Sequence, residues 1–144
     1  MPFRGTYDHS LDAKNRLTVP VKFRGQLAEG VVVARGIEAC ITVWAPDAFD
    51  DWSGSIVEAL GPLTEEARNF RRVVSASAFE TELDAAGRVM LPGKLIEYAC
   101  IDRECAVIGN HEHFEIWDRE KWNDYDAATA PTITELAGSI GNDG

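Results

Sequence analysis

The sequence predicts an α+β protein: one β-rich domain with pseudo-twofold symmetry, built from two similar units with short flanking helices. The first observation is an internal repeat, since LDAKNRLTVP at Leu11–Pro20 returns as LDAAGRVMLP at Leu83–Pro92, 72 residues later in a chain of 144. The second is ITVW at 41–44, which matches FEIW at 114–117. Because a unit of about 55 residues buries too little apolar surface to be stable alone, we expect each unit to cover the other.

Each unit is predicted to contain the same elements in the same order. A strand leads into a tight turn, and a short strand that ends at proline precedes a short helix. Two further strands and a closing amphipathic helix complete the unit. The predicted bounds are strands at 5–11 and 77–83, short helices at 21–29 and 93–99, and closing helices at 46–60 and 118–128.

The segment between the units is predicted to be helical. Thr64 is a suitable N-cap, and Glu65 and Glu66 suit a first helical turn. The last residues of the chain are small and polar, which is typical of a frayed end. The predicted organisation is a first unit at 1–60, a helical connector at 61–77, a second unit at 78–128 and a flexible tail at 129–144.

The two repeated turns have the residue types of a fixed hairpin. Asp12 and Asp84 open the turns, where a carboxylate can accept backbone N–H groups. Asn15 and Gly87 close them, and both residue types tolerate a positive φ. A type I turn followed by such a residue is a common hairpin connection with a bulge. These four residues are therefore predicted to shape the hairpins.

Arg16 and Arg88 directly follow the turns, and strand alternation places both on the solvent side. One interpretation is structural: each arginine pairs with the aspartate of its own turn and stiffens the hairpin. The other is functional: two guanidinium groups on a symmetric rim pair with guanine edges or with phosphate. The presence of two copies in the same setting favours the functional interpretation.

The net charge of −10 argues against a nucleic acid partner, because an acidic surface repels phosphate. The charges are segregated along the chain, however. Residues 1–24 contain five basic and two acidic residues, whereas residues 102–144 contain three basic and ten acidic ones. A basic face around the first hairpin is therefore compatible with the overall acidity.

The motifs resemble the MraZ family of bacterial regulators over residues 3–128. The resemblance rests on FxGTY at Phe3–Tyr7, on DxKxR with VP at Asp12–Pro20, on Lys22-Phe23, and on DxxGR with LP at Asp84–Pro92. It implies a barrel of two AbrB-like swapped-hairpin units and ring-shaped homo-oligomers whose hairpins face DNA. It also implies sequence-specific binding to double-stranded DNA at short direct repeats, upstream of the cell-wall and cell-division gene cluster.

Carried over to this sequence, the resemblance assigns DNA binding to Lys14, Arg16 and Arg88. Asn15 departs from the family pattern, which usually has glycine there, but Asn tolerates the left-handed region and the hairpin is expected to survive. Ala86 stands opposite Lys14 in the repeat. We therefore expect the two hairpins to contact DNA unequally.

An enzyme is disfavoured, and no catalytic residue is predicted. Ser10 follows His9, but neighbouring residues of a strand point to opposite faces. The residue types of a zinc site are present, yet their C-x4-C-x5-H-x-H spacing fits no standard zinc template. We therefore expect neither a metal nor a cofactor. The residues in that pattern are Cys100, Cys105, His111 and His113.

Two other functions stay open from the sequence. One is an AbrB-like antitoxin that binds DNA and neutralises a toxin, and the other is a structural ring without a DNA role.

The first ten residues, MPFRGTYDHS, lack the apolar run of a signal peptide, and no stretch approaches 18 uninterrupted apolar residues. An odd number of cysteines, three, favours reduced thiols. We expect a cytoplasmic, nucleoid-associated protein that contacts no membrane.

Overall fold

The chain is an α+β protein with antiparallel sheets and five α-helices in this computed structural model, which describes residues 2–143. The strands are β1 (Thr6–Ser10), β2 (Arg16–Thr18), β3 (Val31–Arg35), β4 (Ile41–Trp44), β5 (Phe79–Thr81), β6 (Arg88–Met90), β7 (Glu104–Asn110) and β8 (His113–Asp118). The helices are α1 (Val21–Arg24), α2 (Pro46–Leu60), α3 (Glu65–Ser77), α4 (Gly93–Tyr98) and α5 (Arg119–Asp143).

The strands of the two halves are interleaved in one sheet. Six of them form an antiparallel sheet in the order β1-β7-β8-β4-β3-β5, while β2 pairs with β6 in a two-stranded sheet. Strands from different halves pair as β1 with β7, β3 with β5 and β4 with β8. The equivalent strands of the two halves are β1 and β5, β3 and β7, and β4 and β8. Exchanging each strand for its equivalent gives the same order read from the opposite edge of the sheet. Each half therefore completes the sheet of the other.

The barrel that the family resemblance implies is not formed, so this part of the prediction is wrong. Within residues 2–143 the six-stranded sheet is open, with β1 at one edge and β5 at the other. β2 and β6 come straight after the turns that follow β1 and β5. They pair with each other and with no strand of the larger sheet, so no strand pairing closes that sheet into a barrel.

The main core lies between the two sheets. Leu17 and Val89 pair across β2 and β6, and both are fully buried in the same apolar cluster as Val33 and Val107 of the larger sheet. Inward-pointing residues of the short strands thus cover one face of the large sheet, as alternation requires. The N-terminal Phe3 joins this cluster, since it forms a β-bridge with the turn before β8 and is itself buried.

Two tryptophans at equivalent positions hold helices against the sheet. The ring centroid of Trp44 in β4 lies 5.1 Å from that of Trp52 in α2. The ring of Trp117 in β8 lies 5.3 Å from Trp122 and 4.9 Å from Tyr125, both in α5. The first half of α5 is therefore fixed to the end of the sheet where β7 and β8 pair.

The connector and the predicted tail are both helical. Thr64 caps α3, because its Oγ1 accepts a hydrogen bond from the backbone N–H of Ala67 at 3.1 Å. Residues 129–143, predicted as part of a flexible tail, continue α5 to Asp143, with Pro131 inside the helix. Residues 130–141 are exposed, and the flexibility of this segment stays a prediction.

In the part of the chain that the structure describes, no helix has the length and apolarity needed to cross a membrane.

One charged side chain in the sheet, Glu115 of β8, is buried in a polar network. Its Oε2 lies 3.1 Å from Asn110 Nδ2 and 3.1 Å from His113 Nε2, and its Oε1 accepts from Trp117 Nε1 at 2.9 Å. Burial by itself raises the pKa of this carboxyl, but the three hydrogen bonds together hold the pKa below its ordinary value. Glu115 therefore stays charged inside the sheet.

Candidate nucleic-acid interface

The first repeated turn is organised by the carboxylate of Asp12. Its Oδ1 accepts hydrogen bonds from the backbone N–H groups of Lys14 and Arg16, both at 2.9 Å. The backbone N–H of Asn15 donates to the carbonyl of Asp12 at 3.0 Å, and Asn15 has a φ of 59°. The turn thus closes through a residue in the left-handed region, where the Asn side chain is tolerated.

The second turn repeats this arrangement bond for bond. Asp84 Oδ1 accepts from the backbone N–H groups of Ala86 and Arg88, at 3.0 and 2.9 Å. The backbone N–H of Gly87 donates to the carbonyl of Asp84 at 2.9 Å, and Gly87 has a φ of 77°. Two stretches that differ in sequence therefore form the same turn, because aspartate and a left-handed residue stand at the same places.

Each arginine after a turn pairs with the aspartate of that turn. Arg16 Nε lies 2.7 Å from Asp12 Oδ2, and Arg88 Nε lies 2.8 Å from Asp84 Oδ2. Within residues 2–143, the side-chain hydrogen bonds of both arginines use Nε, which leaves the terminal Nη groups for another partner. Arg88 Nη1 also lies 4.0 Å from Asp12 Oδ2. The ion pair with the turn aspartate, which the structural interpretation predicts, thus occupies only the Nε edge of each guanidinium group.

Hydrogen bonding also shifts the titration of both aspartates. The backbone N–H of Arg16 is the main cause that holds the pKa of Asp12 below its ordinary value, and its side chain adds to the effect. The backbone N–H of Arg88 acts in the same way on the pKa of Asp84. Both carboxylates therefore favour the charged state that the turns require.

The two hairpins are interlocked through their backbones. The backbone N–H of Leu91 donates to the carbonyl of Asn15 at 2.9 Å, and that of Val19 donates to the carbonyl of Gly87 at 2.9 Å. Each bond joins the closing residue of one turn to the residue directly after the strand that leaves the other turn. These two hydrogen bonds therefore fix the position of one turn relative to the other.

The β2–β6 ribbon has an inner and an outer face. Leu17 faces Val89 in the register, and both are buried. The flanking pairs place Arg16 opposite Met90 and Thr18 opposite Arg88, and side chains two residues apart share a face. The outer face therefore presents both arginines, in diagonal positions, beside Thr18 and Met90.

Lys14 is separate from this ribbon, at the exposed tip of the first turn. The exposed Ala86 occupies the same place in the second turn. The structure thus brings Arg16 and Arg88 together and gives only one of the two turns a lysine. The roles of these three residues in binding DNA stay predictions.

Sequence reasoning missed three residues of this surface: Arg24, Thr18 and Met90. Arg24 Nε donates to the carbonyl of Val19 at 2.9 Å, and its guanidinium lies where a side chain at position 87 would be. The repeat gives no hint of this, because Ile96 stands opposite Arg24. Only the basic excess of residues 1–24 pointed to it.

The four residues weighed as zinc ligands do not form a metal site in the part of the chain described. No group of three His, Cys, Asp or Glu side chains in that part is placed to hold a metal ion. Cys105 is buried, and burial raises the pKa of its thiol to about 12, whereas Cys100 is exposed. His113 instead lies against Glu115.

The family model described as "MraZ protein, putative antitoxin-like" matches the chain twice, at residues 2–73 and 75–138. The chain belongs to the MraZ family. Two curated MraZ relatives, each named "Transcriptional regulator MraZ", match along almost the whole chain. The one from Nocardioides sp. is 43% identical over 136 residues, 94% of either chain. The one from Lactiplantibacillus plantarum is 37% identical over 139 residues, 96% of this chain and 97% of the relative.

Proposed function

We propose that the protein is a sequence-specific DNA-binding regulator of transcription. The observation that carries this proposal is the pair of equivalent, interlocked turns, which present Arg16 and Arg88 on the outer face of one two-stranded ribbon. A two-stranded ribbon fits the major groove, where Arg pairs with the O6 and N7 atoms of guanine. The names of the relatives, which are transcriptional regulators, support the same conclusion.

The charge distribution supports DNA as the partner despite the net charge of −10. Lys14, Arg16, Arg24 and Arg88 gather around the two turns, where Asp12 and Asp84 are the acidic residues that shape them. Phosphate contacts from such a rim position the protein on the duplex, while base contacts give specificity. Such a regulator would be associated with the nucleoid.

The finer architecture we propose is a pseudo-twofold pair of AbrB-like units. Residues 1–60 and 78–128 are the units, and residues 61–77 connect them. The strand order, which is unchanged when equivalent strands are exchanged, supports this relation. Both units then contribute a hairpin to one DNA-binding rim, and Lys14 makes the first hairpin the stronger contact.

We further propose that several copies form a ring and bind short direct repeats, upstream of the cell-division and cell-wall gene cluster. Adjacent subunits of a head-to-tail ring keep the same orientation, and direct repeats have the same property. Contacts that are weak at one repeat then add through effective concentration when the spacing of the repeats matches that of the subunits.

The test is binding of the purified full-length protein to duplex DNA from the region upstream of its own gene. We expect specific binding at low salt and a steep, log-linear fall in affinity with salt, because phosphate contacts release counterions. A shuffled duplex of the same composition is the control. Equal affinity for both duplexes, or no binding to either at low salt, contradicts the proposal.

A further inference from the structure

The distal half of α5 carries an apolar stripe that no other part of the described chain covers. Ile133, Leu136 and Ile140 are 57%, 58% and 67% exposed. Their spacing of three and four residues puts them on one face of the helix. That face continues from Trp122 and Tyr125, which pack against β8. The stripe from Ile133 to Ile140 extends about 10 Å along the helix.

The sequence of this segment is a poor helix former by itself. Pro131 removes a helical hydrogen bond, and Gly138 and Gly141 lower helix propensity. An isolated helix of this length is marginal in water even for alanine-rich sequences. Burial of the apolar stripe against a partner would supply the stability that the composition of this segment does not provide.

A groove of matching character lies between α3, α4 and the turn after β3. Two adjoining cavities of about 500 and 290 Å³ form it, and they share Arg35, Val73 and Tyr98 as lining residues. Val73 and Ile37 give the groove exposed apolar walls, with 49% and 77% of their surfaces accessible. We refer to these surfaces as the α3–α4 groove and the α5 stripe.

The charges of the two surfaces are complementary. Arg35, whose guanidinium lies 4.3 Å from the centre of the Tyr98 ring, and Lys94 line the groove. No acidic residue of the described chain lines either cavity, which is notable in a protein with a net charge of −10. Residues 129–141 contain one acidic residue, Glu135, and no basic one.

The groove and the stripe lie at different places on one molecule. α5 packs on β7 and β8, whereas the groove adjoins β3 and β5, at the other end of the sheet order. We propose that the α3–α4 groove of one copy receives the α5 stripe of a second copy. This inference rests on the self-assembly proposed above and assigns its contact surfaces. Because the two surfaces differ, the contact is head-to-tail and leaves one groove and one stripe for further copies.

The test uses two full-length variants that each remove one surface. Leu136→Asp places a charge in the stripe and leaves the groove intact, while Val73→Asp does the reverse. Ile37→Asp serves as a second groove variant, because Ile37 lies in an exposed turn where substitution spares the fold. Leu63→Asp, at a residue that is 89% exposed and outside both surfaces, is the matched control. Circular dichroism and melting temperature confirm that each variant is folded.

Light scattering then gives the mass of each assembly. We expect wild type and Leu63→Asp to form the same multimer, and the stripe and groove variants each to be single chains. Mixing Leu136→Asp with Val73→Asp should give a one-to-one dimer, because one intact stripe meets one intact groove. A wild-type protein that is a single chain overturns the inference. Groove variants that still form multimers, or a mixture that stays as single chains, do the same.

These measurements test the proposed interface and the proposed DNA-binding function independently. The variants keep both hairpins, so we expect each to bind a duplex with a single repeat as wild type does, within about twofold. If the masses change as expected and no form binds DNA, the regulator proposal fails and the interface stands. If DNA is bound and the masses are unchanged by the groove variants, the interface fails and the regulator proposal stands.

Discussion

Asp12 and Asp84 each accept two backbone N–H groups on one carboxylate oxygen and an arginine Nε on the other. The backbone bonds close the turn, and the arginine adds only one contact to a carboxylate that is already engaged. A partly exposed ion pair of this kind contributes little to stability. Arg16 and Arg88 are therefore available for a second role, whereas the aspartates are not.

Replacing Arg16 by alanine should weaken specific DNA binding and leave the fold intact. Loss of a bidentate base contact costs about 1–3 kcal/mol, which is roughly 5- to 160-fold in affinity. Binding of a single-repeat duplex and the melting temperature are measured on the same preparation, with Arg68→Ala in α3 as the control. If Arg16→Ala lowers the melting temperature and binds DNA as tightly as wild type, the arginine has only the structural role.

Asn15 and Gly87 occupy equivalent positions but should respond differently to substitution. Gly87→Ala puts a Cβ both into the left-handed region and against the guanidinium of Arg24, so we expect a loss of at least about 1 kcal/mol. Asn15→Gly keeps the backbone conformation and should change stability by a few tenths of a kcal/mol at most. Urea unfolding of both variants tests this, and equal losses would contradict it.

Among the residues of the site, the turn positions were predictable because their physics is local. Asp at the first position and Asn or Gly at the fourth position of a four-residue segment are enough to predict a tight turn. Arg24 could not be found in this way, because it lies beside Gly87 only through the interlocking of the hairpins. Thr18 and Met90 reach the outer face through a strand pairing between the halves.

The two hairpins, as elements, should make the protein sensitive to acid. The pKa values of Asp12 and Asp84 lie below their ordinary value of 3.8 in the folded protein. The charged carboxylates therefore stabilise the fold above that value, and this contribution is lost as the pH falls through the lowered pKa. An Asp12→Asn, Asp84→Asn double variant should be less stable than wild type at about pH 7, and the difference should be smaller at about pH 3. Urea midpoints at both pH values test this.

Strand β8 should depend on the network around Glu115. Glu115→Ala removes the acceptor for Trp117 Nε1 and for the side chains of Asn110 and His113. Buried donors left without an acceptor cost about 1–3 kcal/mol. Glu112→Ala, at an exposed position in the turn before β8, is the control. An unchanged free energy of unfolding in Glu115→Ala would show that water replaces the lost acceptor.

The lengths of several elements differ from those expected, and neighbouring residues explain why. The helix expected at 21–29 ends at Arg24 and continues as a 3-10 turn, Gly25–Leu27, ahead of Gly30, whose φ is 141°. The strand expected at 77–83 is only Phe79–Thr81, and α3 takes the first of the expected strand residues, Ser77. Local patterns locate such elements but leave their ends to competition between neighbours.

At the scale of the whole molecule, the sequence repeat and the small size of each unit were enough to predict that the two halves bury apolar surface against each other. The way in which they combine was not. Sequence similarity identifies equivalent strands, but pairing of β1 with β7 and of β3 with β5 follows from contacts between residues far apart in the chain. Whether a sheet closes depends on such contacts as well, which is why the expected barrel was wrong.

The interleaving of strands from the two halves in one sheet also delays folding during synthesis. β1 pairs with β7, and the hydrogen bond from Ser10 to Glu104 spans 94 positions of sequence. A ribosome adds about 5–20 residues per second, so the first strand waits roughly 5–20 s for its partner. During that time the apolar strands of the first half have no complete sheet to join. The six-stranded sheet can therefore be completed only after β7 and β8 have been made, and until then the apolar strands of the first half are exposed to aggregation.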